Sequence, residues 1–552
     1  MADSNAAGRG SGGAEIGELT LADQSGVVGQ LMQALTAAQA PPAVELIETH
    51  ISFVLLAGGY AYKIKKAVNP GFLDFTTLAR RRHFCQEELR LNQRIAPQLY
   101  LDIVPVTREG GQAALGGAGA CIDVALRMRA FAQDALWDHR AAQGRLEPRH
   151  IDQLAQALCG FHRDAAVAPP DSPYGEPAQV RAPMLDTLQA LQTLLGPSGR
   201  NRLADLRVWE AREFASLERH FARRRKAACV RECHGDLHLG NVTMVDEQPT
   251  MFDCLEFDAD LRWTDVMNDV AFLAMDLRRH ARTDFAHRFV NAYLERSGDY
   301  DGARLLAYYL VYRALVRTKV AALRSAQLAL EPGSRPAAAR DPALAYLDVA
   351  CHCSAPSRPV LFITHGFSGS GKTTWAGHLL EQIGAVRIRA DVERKRLLAL
   401  PALAATASAL RSGVYSSAST AATYERLRQA AACVLHGGLS AILDATFLQR
   451  EQRDQARALA HKLGVDFVIL DLRGAAATLR RRILARAEAG GDASEADLAV
   501  LDDQIAHDEP LGANERAEVF DIDAELAPSR ATAQRVAELL RIRLAGAAAP
   551  PR

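Results

Sequence analysis

The chain reads as an α+β bilobal domain followed by an α/β domain with a parallel sheet. Three observations predict this: a β-rich opening that gives way to helical spacing, a Pro/Gly/Ala-rich break at Glu331–Arg340, and strand–loop–helix alternation from Pro359 onward. At 552 residues the chain is too long for one hydrophobic core. Lys plus Arg equals Asp plus Glu at 65 each, so no net field draws nucleic acid or an anionic membrane. No uncharged apolar run of membrane-spanning length occurs; Leu305–Val316 comes nearest, and Arg313 interrupts it. Met1–Glu15 is rich in Gly, Ala and Ser and lacks the apolar stretch of a signal peptide. The cysteines are scattered, and Cys351-His352-Cys353 lacks the four-ligand spacing of structural zinc. A cytoplasmic protein with reduced thiols is the expectation.

The elements follow in order. Residues 1–25 read as a loose, disordered tail, and helical spacing over Ser25–Ala38 ends at Pro41-Pro42. Ile51–Leu56 and Tyr60–Lys65 read as strands joined at Ala57-Gly58-Gly59. A charged helix is predicted from about Ala79 to Ile95, then strands around Ile103–Val106 and Ile122–Met128, then helices to about Arg324. The first domain thus spans residues 26–330, with lobes at about 40–130 and about 131–330. Residues 331–357 form a linker with a docking helix at Pro342–Cys351, and residues 358–545 form the second domain. Its strands are predicted at Val360–Thr364, Val386–Ile388, Ala441–Leu443 and Phe467–Leu472. Ala545–Arg552 reads as a disordered tail.

Gly366-Phe367-Ser368-Gly369-Ser370-Gly371-Lys372-Thr373 fits the phosphate-binding spacing G-x-x-x-x-G-K-[ST], between an apolar strand and a helix opening at Thr374. Glycines Gly366, Gly369 and Gly371 and the intervening Ser368 and Ser370 let backbone N–H groups face phosphates at a helix N-terminus. In such a loop Lys372 reaches the β/γ-phosphates and the Thr373 hydroxyl ligates Mg²⁺. Asp391-x-x-Arg394 puts a carboxylate and a guanidinium on one helix face. Asp391 is a candidate base for an attacking hydroxyl and Arg394 a holder of an anionic group; the alternative is a surface ion pair. Asp444 ends an apolar run, as a metal-shell carboxylate or a turn former does. Arg482 and Arg486, at i and i+4 in a basic stretch, could close over phosphates or simply face solvent.

In the first domain His234-Gly235-Asp236-Leu237-His238-Leu239-Gly240-Asn241 carries an Asp with an Asn five residues later, and Phe252-Asp253 follows. Asp236 is the candidate for orienting or deprotonating a substrate hydroxyl, with Asn241 and Asp253 as Mg²⁺ ligands. Upstream, Tyr60-Ala61-Tyr62-Lys63 is a strand ending in Lys. Glu88 falls on the apolar face formed by Phe84, Leu91 and Ile95, and a Glu there needs a cation. Lys63–Glu88 is the favoured pair, with Lys65 and Glu87 as the rival pair. His234 and His238 read as loop-shaping groups. The basic residues Arg313, Arg317, Lys319 and Arg324 read as a solvated face or as ion pairs with the catalytic lobe.

The H-G-D-x-H-x-x-N wording and the run Asp265-Val266-Met267-Asn268-Asp269-Val270-Ala271 resemble the aminoglycoside phosphotransferase and choline/fructosamine kinase superfamily, over roughly 300 residues. That resemblance implies a protein-kinase-like fold. The order departs from protein kinases in two places: Asp253-Cys254-Leu255 lacks the glycine of D-F-G, and Glu48–Ser52 stands where a glycine-rich loop would cover the nucleotide. The second domain resembles small P-loop NTPase-fold kinases of the polynucleotide kinase, gluconate kinase and zeta-toxin groups. The whole order is similar to bacterial bifunctional fusions of two such modules. The resemblance implies ATP and Mg²⁺ as cofactors and transfer of the γ-phosphoryl group to hydroxyls of small-molecule substrates. The alternative is a P-loop kinase, with a nucleotide or nucleic-acid 5′-hydroxyl acceptor, joined to a silent ligand-binding domain. No aromatic residues interleave with a basic stripe, so a nucleic-acid platform is not favoured.

Overall fold

The computed structural model describes residues 18–38, 44–71, 73–329, 341–404, 416–489, 493–526 and 528–547. The linker at 331–340, most of the expected N-terminal tail and the end of the C-terminal one lie outside the described residues. The chain divides into two compact units, residues 1–135 with 250–261, and residues 136–249 with 262–552.

The first unit holds α1 (Leu21–Ala38), β1 (Glu45–Glu48), β2 (Ser52–Ala57), β3 (Tyr60–Lys65), α2 (Leu78–Asn92), β4 (Tyr100–Glu109), β5 (Gln112–Leu115) and β6 (Ala120–Arg129). Helix α1 begins four residues before the expected Ser25, so residues 21–25 are helical rather than part of a tail. The cause is a reciprocal cap: Thr20 N donates to Asp23 Oδ2 at 2.9 Å and Asp23 N to Thr20 Oγ1 at 3.2 Å. The strands form one antiparallel sheet in the order β1-β2-β3-β6-β4-β5. Val27, Val28 and Leu31 of α1 pack on Phe53, Leu55, Ile64, Val106 and Ala125 of that sheet. Lys63 sits in the middle of it, opposite Val54 on β2 and Leu126 on β6. Helix α2, capped by Thr77, buries Arg81, Cys85, Glu88 and Leu91 at helical spacing and stops at Asn92, short of Ile95.

In the second unit the chain runs through α3 (Trp137–Ala142), α4 (Pro148–Asp164), α5 (Pro177–Leu194), α6 (Pro197–Lys226), β7 (Val230–Glu232) and β8 (Val242–Val245). Strand β9 (Gln248–Met251) leads back into the first unit, and α7 (Ala259–Arg262) returns from it. Strand β10 (Trp263–Asp265), antiparallel to β7, then feeds α8 (Val266–Arg279), α9 (Thr283–Ser297), α10 (Leu306–Ala329) and α11 (Pro342–Cys353). Helix α8 is buried along most of its length, and its start is fixed by Asp265, which caps Met267 N at 2.9 Å and takes Arg224 in a bidentate pair. Helix α11 docks on α10 and α8.

The remaining elements are β11 (Val360–His365), α12 (Lys372–Ile383), β12 (Ala385–Arg389), α13 (Ala390–Leu397), α14 (Ser417–His436), β13 (Ser440–Asp444), α15 (Arg450–Leu463), β14 (Asp466–Arg473), α16 (Ala476–Ala489), α17 (Leu498–Ala506), β15 (Val519–Asp523) and α18 (Arg530–Ala547). The strands form a parallel sheet in the order β12-β13-β11-β14-β15. Helices α12 and α18 bury Trp375, Leu379 and Leu540 against Phe362, Ile442 and Leu470. Strand β11 lies centrally and β12 at one edge, which sends Gly366, Asp391 and Asp444 to the same C-terminal end of the sheet.

Candidate active sites

In the first unit Lys63 Nζ lies 2.7 Å from Glu88 Oε1 and 2.7 Å from Asp253 Oδ1. Glu88 accepts from both lysines of the strand, for Lys65 Nζ is 2.6 Å from its Oε2. The rival Glu87 instead faces Arg90 at 2.8 Å on the exposed side of the helix. Lys65 also bonds Glu256, a residue the sequence reading did not single out although it stands three positions beyond Asp253. Burial pushes the Glu88 carboxyl up, but the two ammonium groups outweigh it and bring it down to about 2. The backbone around Asp253 is pinned: Asp253 N donates to Tyr100 Oη at 3.0 Å, Cys254 N donates to Asn92 Oδ1 at 2.9 Å, and Asp253 adopts φ 63°. Three carboxylates thus face two ammonium groups, a donor set with the surplus negative charge that a divalent cation neutralises.

In the second unit Asp236 and Asn241 close one loop on each other, with Asn241 Nδ2 donating to Asp236 O at 2.9 Å and to its Oδ2 at 3.2 Å. His234 and His238 shape that loop, their Nδ1 atoms accepting from Asp236 N at 3.3 Å and Gly240 N at 3.1 Å. The loop hangs from α8. Asp269 accepts from His234 N at 2.8 Å and Gly235 N at 3.0 Å, and Asp276 accepts from Leu239 N at 2.9 Å. His162 Nε2 lies 3.1 Å from Asp269 Oδ2. Burial raises the Asp269 carboxyl, yet His162 and the loop donors outweigh it and hold it at about 2. Neither holding carboxylate was read from sequence as a support; the later D-x-x-x-D run contains one of them. Arg313 is buried against Asn268 and Arg317 bonds Tyr346, so these two basic residues of α10 serve packing within the catalytic lobe.

The second site is a cavity of about 430 Å³ lined by the phosphate-binding loop and by Asp391, Arg394, Asp444, Arg482 and Arg486. The loop needs its glycines. Gly366 has φ 140° and Gly369 φ 82°, and a Cβ would stand 2.5 Å from Leu472 O at the first and 2.6 Å from Leu479 O at the second. Ser368, Thr373 and Thr374 line the cavity, Ser370 is buried in the loop, and Lys372 Nζ folds onto Gly366 O at 2.9 Å and Phe367 O at 2.7 Å. Burial pushes the Lys372 ammonium down to about 8, against the pull of Asp444 and Asp391. Asp444 is raised by burial, offset in part by Arg387, Arg389 and a hydrogen bond from Thr373. Its Oδ2 is buried with no hydrogen-bond partner among the described residues, an orphan that suits a divalent cation beside the Thr373 hydroxyl. Arg394 pairs with Asp391 at 2.9 Å. Arg482 and Arg486 reach the cavity from α16, tethered to Ala524 O at 2.8 Å and Ala496 O at 2.5 Å. Tyr424 of α14 and Gln504 of α17 also line the cavity; neither belongs to a motif, since each arrives from a distant helix.

Comparison with known proteins finds a family match for each module. A family model described as phosphotransferase enzyme family matches residues 71–306, and one described as an AAA domain, of the P-loop kinase type, matches residues 361–511. The chain is a phosphotransferase enzyme of the kinase class. Uncharacterized protein Rv2004c of Mycobacterium tuberculosis (strain ATCC 25618 / H37Rv) is 32% identical over 461 residues, covering 83% of this chain and 90% of that protein, and uncharacterized protein Mb2027c of Mycobacterium bovis gives the same figures. The chain belongs to the family of these mycobacterial proteins. Among solved structures, a choline/ethanolamine kinase family protein from Mesorhizobium loti is 13% identical, with TM-score 0.35, over 60% of this chain and 94% of that one. A gluconokinase from Sinorhizobium meliloti is 19% identical, with TM-score 0.25, over 35% of this chain and 99% of its own. Among the described residues no helix is long and apolar enough to cross a membrane.

Proposed function

We propose that the chain is a bifunctional small-molecule kinase, with one ATP site built within residues 26–330 and a second within residues 358–545. Each transfers the γ-phosphoryl group to a substrate hydroxyl: the acceptor oxygen bonds phosphorus, the bond to the β-phosphate oxygen breaks, ADP leaves, and the hydroxyl proton passes to a carboxylate. Asp236 is that carboxylate in the first site and Asp391 in the second. Lys63, held by Glu88, and Lys372 neutralise the phosphates, while Arg394 fixes the acceptor and Arg482 and Arg486 stabilise charge on the transferring group. Asn241 of one unit and Asp253 of the other are each Mg²⁺-ligand candidates, and Thr373 with Asp444 would hold Mg²⁺ in the second module, where it supplies charge neutralisation across the phosphates when bound.

The observation that carries this reading is the cavity on which the phosphate-binding loop, Asp391, Arg394, Asp444 and the two α16 arginines all open. The test is a metabolite screen for a mass gain of one phosphoryl group, repeated with Asp236→Ala and Lys372→Ala separately. Each variant is expected to abolish phosphorylation of one set of acceptors and spare the other. Turnover that survives Asp236→Ala with every active substrate would reduce the first module to a ligand-binding domain.

A further inference from the structure

The polar residues of α9 form a stripe that reaches the P-loop module. Asp284 takes Arg530 at 2.8 Å, Arg288 takes Glu381 at 2.6 Å, and His287 Nδ1 lies 3.0 Å from Glu381 O. Further along, Asn291 Oδ1 accepts from Arg387 N at 2.7 Å and Glu295 Oε2 accepts from Arg387 at 3.1 Å. These positions recur every three or four residues on one helix face, and each has a partner in the P-loop module; Arg288 also takes Asp152 of α4 at 2.8 Å, and Asp284 also takes Arg282 at 3.1 Å.

Arg387 is where the stripe meets the second site. One guanidinium nitrogen bonds Glu295 and the other donates to Thr373 O at 3.0 Å, inside the first turn of α12. Arg389, two residues on along β12, lies 4.0 Å from Glu295 and lines the cavity. Glu295 therefore fixes one arginine behind Thr373, and through it the first turn of α12 that carries the Thr373 hydroxyl.

The opposite face of the same helix leads to the other site. Tyr293 Oη lies 2.8 Å from His162 Nδ1, His162 Nε2 lies 3.1 Å from Asp269, and Asp269 accepts from His234 N and Gly235 N of the catalytic loop. Tyr293 and Glu295 are two residues apart, so one rigid turn of α9 stands beneath both phosphotransfer loops. We propose that this turn positions both: Glu295 is a positioning residue for the P-loop through Arg387, and Tyr293 for the catalytic loop through His162 and Asp269. The second site is then incomplete without a residue of the first module. The proposal rests on the reading of the P-loop cavity as a Mg-nucleotide site.

The experiment uses the full chain and Mg-ADP binding by calorimetry, with the heat lost in Lys372→Ala defining the P-loop site. Glu295→Gln and Arg387→Gln are each expected to weaken that site about tenfold, and the double variant no further, because both break one link. Affinities within twofold of the parent, or losses that simply add, would overturn the Glu295 assignment. If the parent itself shows no Lys372-dependent binding, it is the Mg-nucleotide reading that fails. Should Glu295→Gln melt uncooperatively, Arg387→Lys reads the same link, since it keeps a charge toward Glu295 but loses the nitrogen that reaches Thr373. On the other face Tyr293→Phe is expected to raise amide exchange at His234 and Gly235 about tenfold, and unchanged exchange would remove that half of the proposal.

Discussion

A carboxylate that accepts two loop amides and an imidazole is worth more to the fold than its size suggests. Asp269 sits at about 2, below its ordinary value of 3.8, so its charged form is favoured in the folded state. The resulting stability is present above pH of about 4 and is lost as pH falls through about 2, amounting to about 2 kcal/mol at neutral pH. Asp269→Asn should therefore unfold at lower denaturant at pH 7, with the gap to the parent narrowing steadily on acidification toward pH of about 2. A gap independent of pH would show that the charge contributes nothing. Glu88 poses the complementary case, one buried carboxylate between two lysines. Glu88→Gln leaves those ammonium groups facing an amide, and a cost of about 3–5 kcal/mol is expected. Thermal and urea melts of the full chain would measure it.

Elements differ in how much of them the residues announce. The phosphate-binding loop is legible because its chemistry is local: strand, glycines, lysine and helix are contiguous, and backbone sterics demand those glycines. Gly369→Ala puts a Cβ against Leu479 O of α16 at φ 82°, so it should cost about 1–3 kcal/mol and abolish Lys372-dependent nucleotide binding. Preserved binding in a calorimetric titration would contradict this. The Lys63–Glu88 pairing is legible for a related reason, since an inward-facing glutamate demands a cation, but that demand does not say how many. Lys65, on the same strand face by period two, joins Lys63 on Glu88 rather than replacing it, and Glu256 enters the cluster through a turn that no spacing encodes. Strands β1, β5 and β15 went unread because Glu45–Glu48, Gln112–Leu115 and Val519–Asp523 are short and mix polar with apolar residues. The α9 stripe is visible as a periodicity, but a polar face at helical spacing ordinarily meets water. Only tertiary placement reveals that it meets a second module.

Across the whole second unit, the parallel sheet has a vulnerable edge. Strand β12 lies at the end of the order β12-β13-β11-β14-β15, and its outward Arg387 N–H is satisfied by Asn291 of α9 rather than by another strand. The opposite edge is treated within the module itself, where Arg543 of α18 donates to Val519 O at 2.6 Å. One edge is thus self-covered and the other depends on the preceding domain. Packing there is tight as well: a Cβ on Gly384 would meet His287 at 2.9 Å, and one on Gly437 would meet Ala303 O at 2.5 Å. A segment of residues 358–552 expressed alone would expose the β12 edge and strip Glu381, Arg387 and Arg530 of their partners on α9. It is expected to melt below the corresponding transition of the full chain and to self-associate through the bare strand, as light scattering on a concentration series would register. Asn291→Ala in the full chain should reproduce a small part of that loss, about 1 kcal/mol, because it orphans one edge amide while leaving the strand covered. A monomeric, equally stable excised segment would mean that the sheet carries its own edge protection and that α9 merely touches it.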